Sequence, residues 1–449
     1  MQTKKWIHTT LVLSLSSTLA LTACSSSNNG PSSSPGSEST GKEGSPGKTN
    51  EKITFYAQYH PAIDALKPLI PDFEKETGIK VELNVLPYPQ ILDKQQVALT
   101  SGSESIDVGM ADPMYLSQWN NGGMLTDLSA LIADKNATND ERLALDDFMP
   151  QALKQMSKDN VQYALPLYAE TTELFYNKKM LEDANVPVPT TLDELMEAAK
   201  KLHDPKKGQF GIVLRGQRGN GLNIFIWTGI YRSFGGEFLK DGANDFDSQA
   251  GVAATKWYGD ILTNYGPPGA SSIGWQEALD TFSQGKAAFM IDASTFAGSL
   301  EDSKKSAVAG NVGYATLPKG PNGSFPALAA WGMYIPKNSA KKEAAWKFIQ
   351  WALSPEVQLK SAVEHSRSDV ARQSVWQDES YRSLFGSWGN WADVTFDNIN
   401  IASPDYRPMI KNWTQVGDDL GALVSAVTAK TLTADAAMKK AQEEIKITP

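Results

Sequence analysis

The sequence predicts an α/β protein whose folded body of about 400 residues divides into two lobes. Short β-rich segments alternate with segments of helical period, the pattern of a mostly parallel sheet covered on both faces. The body, 52–449, is larger than one hydrophobic core ordinarily serves. Ahead of it lies a stretch of quite different composition, so the body begins at a definite place.

The elements follow in chain order. Ile53–Ala57 is β-rich. From Pro61 the apolar residues Ile63, Leu66, Ile70 and Phe73 recur at helical spacing until Gly78 stops the run. Ile79–Leu86 alternates apolar and polar residues, a half-buried strand. A helix is expected over Pro89–Ser101, then a short strand, Ile106–Met110, ending at Ala111-Asp112-Pro113. Val161–Leu167 and Glu173–Tyr176 read as two further strands. Thr191 and Glu194 form a capping box that opens a helix through Leu202. Helices are expected over Asn223–Phe234, Gln249–Tyr265 and Gln276–Gln284, and strands over Lys286–Ile291 and Ala330–Ile335. Ser339–Leu353 reads as a helix. Ser354-Pro355-Glu356 then supplies a cap, a first-position proline and a dipole-matched acid for the next. Ala422–Ile445 is helical in pattern, and no internal repeat is present.

The first residues have the pattern of an export signal. Lys4 and Lys5 precede a charge-free run, Leu11–Ala23, which is too short to span a bilayer. The run ends Leu21-Thr22-Ala23-Cys24, which resembles the bacterial lipobox. That resemblance implies cleavage before Cys24 and lipid attachment through it, with two acyl chains giving a stable anchor. Cys24 is the only cysteine, so no disulfide framework competes for it. Residues 1–23 are thus a lipoprotein signal peptide and 24–51 a flexible Ser/Gly/Pro-rich tether.

Charge and motif content narrow the function. The leader removes two of the 42 basic residues, and the charge moves from −9 to −11. An acidic body without a basic cluster argues against nucleic acid and against a polybasic grip on lipid. His60, His203 and His365 form no metal-binding spacing, and no nucleophile elbow or dinucleotide fingerprint occurs. The expectation is no enzyme, no metal and no cofactor. A glycosidase, which needs only two carboxylates, is the enzyme alternative.

Several segments resemble the extracellular solute-binding proteins of ABC importers, specifically the sugar-binding group, family 1. Asp107–Asp112 resembles that family's aspartate-ended strand of the first lobe. Leu165–Tyr168 through Leu174–Lys178 is similar to its crossover into the second lobe, and Pro189–Leu195 to one of its helix starts, with Leu192 where Trp is usual. Gly285–Met290, Trp331–Lys337 and Glu343–Phe348 resemble its later strands and helix. Ile291–Phe296, Ser299–Asp302 and Gly313–Pro321 look most like the sugar and sugar-alcohol branch. The resemblance implies a two-lobed, type II periplasmic-binding-protein-like fold. Each lobe is a mixed, mostly parallel sheet flanked by helices, with the ligand in the cleft between. The expected lobes are 52–164 with 292–345, and 165–291 with 346–449.

With the lipid anchor, which fits a cell without an outer membrane, the resemblance also implies a role: a monomeric protein held on the outer face of the cytoplasmic membrane. It would capture a sugar, oligosaccharide or sugar alcohol and deliver it to ABC permease subunits. A carbohydrate sensor presenting ligand to a receptor is the non-enzyme alternative. A sugar needs aromatic rings for its C–H faces and charged or amide groups for its hydroxyls. By analogy, Asp112 is an acceptor, Trp331 a stacking platform, and Arg367 or Arg372 the family's late arginine. The local pattern before that arginine is replaced by Glu364-His365-Ser366. Tyr59, Glu170, Trp227, Trp275 and Asp292 are further candidates by loop position and residue type. Trp227, on a predicted helix, also reads as core, Asp292 as a helix cap and Asp112 as a turn residue. Arg215 and Arg218, in a glycine-rich loop, are expected to be solvated.

Overall fold

The computed structural model describes residues 51–87 and 90–448. The leader, Cys24 and all but the last residue of the tether lie outside these. Among the described residues no helix is long and apolar enough to cross a membrane.

The strands of the main sheet are β1 (Lys52–Gln58), β2 (Lys80–Leu86), β3 (Val108–Ala111), β4 (Leu165–Asn177), β5 (Phe210–Val213), β6 (Ala287–Ala293), β7 (Val312–Ala315) and β8 (Leu328–Tyr334). Their order is β2-β1-β3-β8-β4-β6-β5, with β7 also paired to β4. Parallel pairs lie towards the two ends, β1 with β2 and β3, and β5 with β6. Antiparallel pairs occupy the middle, where β4 and β8 run through. The sheet is therefore mixed, and helices cover it on both faces.

The sequence suggests two short strands around residues 161–176, but Leu165–Asn177 is one strand of 13 residues. Its first half pairs with β8 and its second half with β6 and β7. The partner changes between Thr171 and Thr172, and side chains complete the hydrogen bonding there. Thr171 Oγ1 donates to the Ala327 carbonyl at 3.0 Å, and the Ala327 N–H donates to Thr172 Oγ1 at 2.9 Å. The Thr171 N–H donates to Ser294 Oγ at 3.2 Å. Both threonines are buried. A hydroxyl beside the backbone can supply the partner that a changing ladder leaves out.

Local signals act where expected. Gly78 takes the left-handed conformation, φ 77°, at the end of the helix Ile70–Thr77. Thr191 and Glu194 cap the helix Leu192–Leu202 reciprocally. Ser354 Oγ accepts from the Val357 N–H at the start of Pro355–His365. The helical tail is two helices, Trp413–Thr428 and Ala434–Glu444, broken where Lys430 adopts φ 60°.

The C-terminal segment does not stay with one half of the sheet. The helix Lys342–Ala352 spans the expected lobe boundary at 345, and its Phe348 meets Phe55 and Phe73 at 5.6 and 5.2 Å. The next helix, Pro355–His365, packs on Pro61–Leu66. Trp391–Ile401 packs across β4, and the last two helices cover Gln249–Tyr265.

One acid in β4 is held without a counter-charge. Glu173 is fully buried, accepts a hydrogen bond from Thr395 Oγ1 at 2.8 Å, and its other oxygen has no hydrogen-bond partner among the described residues. Burial pushes its pKa from 4.5 up to about 8. The protonated form is therefore favoured by folding. Its contribution is full below about pH 4.5 and is lost as pH rises through 8. Between those limits stability falls by up to about 1.4 kcal/mol per pH unit from this group. Glu173→Gln should flatten that slope and leave the variant more stable than the wild type at pH 8. Urea midpoints at pH 5 and pH 8 measure it, and parallel shifts in the two proteins would show that Glu173 is not the group responsible.

Candidate functional site

The C-terminal ends of the parallel strands point to one cavity of about 500 Å³. Gln58 ends β1 with Tyr59 and His60 just after it, Asp112 follows β3, and Arg215 follows β5 closely. In open α/β sheets a ligand lies beyond those ends, because the loops there are free of sheet pairing and helix N-termini face them. The through-running strands form the floor. Trp331 stands opposite Tyr168 and Ala329 opposite Glu170. With a period of two, all four side chains share the cavity face.

The floor carries an aromatic ledge. The His60 ring stacks on Tyr168 at 3.8 Å with an interplanar angle of 2°, and Tyr168 lies near-parallel to Trp331 at 6.4 Å. A register shift between Trp331 and Gly332 sets the indole at the edge of the ledge. Only glycine fits beside it, since a Cβ at Gly332 would stand 2.7 Å from Met156 Sδ and 2.9 Å from Ala164 Cβ. Phe225, Phe296 and the exposed Trp275 also line the cavity. Tyr59 stands at the rim, 65% exposed.

Charged groups surround these rings. Asp112 caps the helix Pro113–Asn121 through the Met114 N–H and accepts from Arg407 Nη1, both at 2.9 Å. Burial raises its pKa, and Arg407 opposes the shift. Glu170 accepts from Thr295 Oγ1 at 2.6 Å. Burial raises its pKa too, against Thr295 and the Arg215 charge. Arg215 grips Asp292 through Nε and Nη2, donates Nη1 to the Gly221 carbonyl at 2.9 Å, and lies over the Phe225 ring at 4.7 Å. His60 is held neutral, because burial lowers its pKa to about 4 against the pull of Asp369.

Five of the residues singled out in the sequence line this cavity: Tyr59, Asp112, Glu170, Trp275 and Trp331. Four do not. Trp227 lies in the core, stacked on Tyr231 at 4.6 Å with its Nε1 donating to Thr255 Oγ1, because its helix is buried nearly all round. Asp292 is fully buried behind the wall and holds Arg215 in place; it caps no helix. Arg367 spends its donors on Asp369, Gln358, Ser361 and the Leu167 carbonyl. Arg372 lies over Phe148 and donates to the carbonyls of Leu143, Ala144 and Leu353, tying down two helix C-termini.

The arginines at the cavity are instead Arg215 and Arg407. Arg215 is buried, contrary to the solvated loop expected, because Asp292 on the adjacent strand draws it inward; Arg218 is exposed as expected. Arg407 sits in Pro404-Asp405-Tyr406-Arg407-Pro408, a segment with no periodic or motif signal.

Residues 58–359 match the family model of the bacterial extracellular solute-binding proteins. The chain belongs to that family. Among its relatives, the mannitol-binding protein of Pseudomonas aeruginosa is 30% identical over 342 residues, 72% of this chain and 76% of that one. Two solved structures share the fold. The ABC-transporter solute-binding protein of Agrobacterium radiobacter in complex with ribitol is 28% identical with a TM-score of 0.76, covering 88% of this chain and 98% of that one. That of Agrobacterium vitis with bound D-mannitol is 30% identical with a TM-score of 0.71, covering 87% and 96%. The relatives are binding proteins, and the solved neighbours have the two-lobed architecture expected of this solute-binding protein.

The pairing of Arg215 with Asp292 carries a stability consequence. Asp292→Ala strands a buried guanidinium and should cost about 3–5 kcal/mol. Arg218→Ala, on the exposed side of the same loop, should stay within about 0.5 kcal/mol of the wild type. Urea unfolding of both variants measures the contrast, and equal losses would remove the argument for Asp292 as the anchor of this wall.

Proposed function

We propose that this protein captures a sugar or sugar alcohol outside the cell and hands it unchanged to the permease of an ABC importer. The observation that carries the reading is the aromatic ledge of His60, Tyr168 and Trp331 bordered by Asp112, Glu170, Arg215 and Arg407. Rings cover the C–H faces of a carbohydrate, and carboxylates and guanidinium groups accept from and donate to its hydroxyls. The cavity volume falls in the range of small-molecule sites, about 300–1,000 Å³. Relatives named for mannitol and solved with ribitol or mannitol support the same class. Among the described residues no cluster suited to a metal ion occurs, and no step of this mechanism requires one.

In this reading the ligand draws two lobes together about the crossing strands β4 and β8, a hinge closure in which bound ligand favours the closed population. Cys24 anchors the chain by lipid on the outer face of the membrane, and the tether keeps the body close to its permease, raising the local concentration.

Ligand binding is tested by thermal unfolding of the purified protein with mannitol, ribitol, maltose, free amino acids and short peptides. A true ligand at a hundred times its dissociation constant should add about 2.7 kcal/mol of stability. A response to peptides or amino acids with none to any carbohydrate would overturn the assignment. Asp112→Asn keeps a residue that caps a helix nearly as well but removes the charge. A hydrogen bond to a charged group contributes about 1.5–3 kcal/mol, so affinity should fall roughly tenfold to a hundredfold with the fold retained. Calorimetric titration reads this out; unchanged affinity would confine Asp112 to capping its helix and pairing with Arg407.

A further inference from the structure

The positive charges of the cleft are already matched by built-in acids. Arg215 faces Asp292 and Arg407 faces Asp112, and both arginines are almost wholly buried. Behind the ledge, Arg367 is matched by Asp369. His60 is neutral near pH 7, since burial holds its pKa near 4. Among the described residues no lysine lines the cavity. Glu170 remains, among the described residues, as the one lining carboxylate without an ion-pair partner, held by the Thr295 hydroxyl and part-open to the cavity. Burial raises its pKa; the Thr295 hydroxyl and the Arg215 charge favour its ionised form, and Asp369 and Asp292 oppose it.

We infer that the cleft selects its ligand by charge, admitting neutral polyols and sugars and excluding their carboxylate or phosphate counterparts, with Glu170 as the residue that sets the discrimination. The inference rests on the sugar and polyol reading above and adds a specificity rule to it. An anionic ligand entering the cavity would be desolvated, with no unpaired cation among the described lining residues to receive it, and would stand beside Glu170. To gain a partner it would have to take Arg215 from Asp292 or Arg407 from Asp112, leaving a buried carboxylate unpaired. A neutral hydroxyl meets no such obstacle. It donates to Glu170 or Asp112, and its oxygen can accept from an arginine already oriented by its own acid. A primary amine in place of one hydroxyl finds in Glu170 the counter-ion that an acid lacks. Like-charge juxtaposition is an established route to rejecting wrong partners.

The test titrates the full chain with matched probes: mannitol, mannonate, mannitol phosphate and the primary amine counterpart of mannitol, with a parallel set built on ribitol. For whichever neutral member binds, its carboxylate and phosphate counterparts should bind at least a hundredfold more weakly, and the amine should be retained within about tenfold. In Glu170→Gln the neutral-to-carboxylate ratio should shrink at least tenfold, and the amine should lose more affinity than the neutral ligand. An acid binding the wild type within tenfold of its neutral counterpart would overturn charge selection, and that comparison requires no variant. An unchanged ratio in a folded Glu170→Gln protein would overturn the role of Glu170. If no member of either set binds and no carbohydrate shifts thermal unfolding, the sugar and polyol reading fails, and this specificity rule with it.

Discussion

The strand Leu165–Asn177 pairs with β8 through its first seven residues and with β6 and β7 through the rest. That change of partner inside one unbroken strand organises the protein. It joins the two halves of the sheet without a loop between them. It also brings Tyr168 and Glu170 onto the same face as Trp331, where the parallel strands end. The hydroxyls of Thr171, Thr172 and Ser294 complete the hydrogen bonding where the ladder switches. Without them, buried backbone groups would be left unpaired at the centre of the molecule.

The cavity wall depends on buried charge held in pairs. Arg215 would be costly in this position without Asp292, and Arg407 without Asp112. The pairs hold both guanidinium groups in fixed orientations at the cavity. They also explain why Asp292 is well placed without touching the cavity: it acts on the site through Arg215. Asp112 does both things at once, capping a helix with one oxygen and meeting Arg407 with the other. The reading of Asp112 as a local capping residue and the reading of it as a cleft residue are thus compatible.

Much of the site was visible in the chain. Asp112 stands just past a short apolar strand and before a proline, and Trp331 lies beside a glycine at a strand that returns to the sheet; both signals are local. The arginines were not visible in the same way. Arg367 and Arg372 occupy the expected stretch, yet their donors are consumed by Asp369 and by the carbonyl ends of two helices. Arg407 lies about 35 residues further on in a segment without period. Nothing local distinguishes a guanidinium that reaches a cleft from one that ties down helix ends, because the difference lies in partners distant in sequence. Glu173 shows the same limit: its alternation in a β-rich run is plain, but its uncompensated burial exists only once Trp391–Ile401 covers the strand.

The sequence by itself determined the α/β class, the order of most elements, the caps at Gly78, Thr191 and Ser354, and the resemblance that led to the solute-binding family. These rest on periodicity and on side chains that bond to backbone within a few residues. Tertiary structure alone decided that β4 is one strand, that the helix after residue 341 returns to the first half of the sheet, and which arginines stand at the cavity. These rest on hydrogen bonds and ion pairs between residues tens to hundreds of positions apart. Asp112 with Arg407 is separated by 295 positions and Arg215 with Asp292 by 77. Such pairings form only when the sheet order has set which loops face one another.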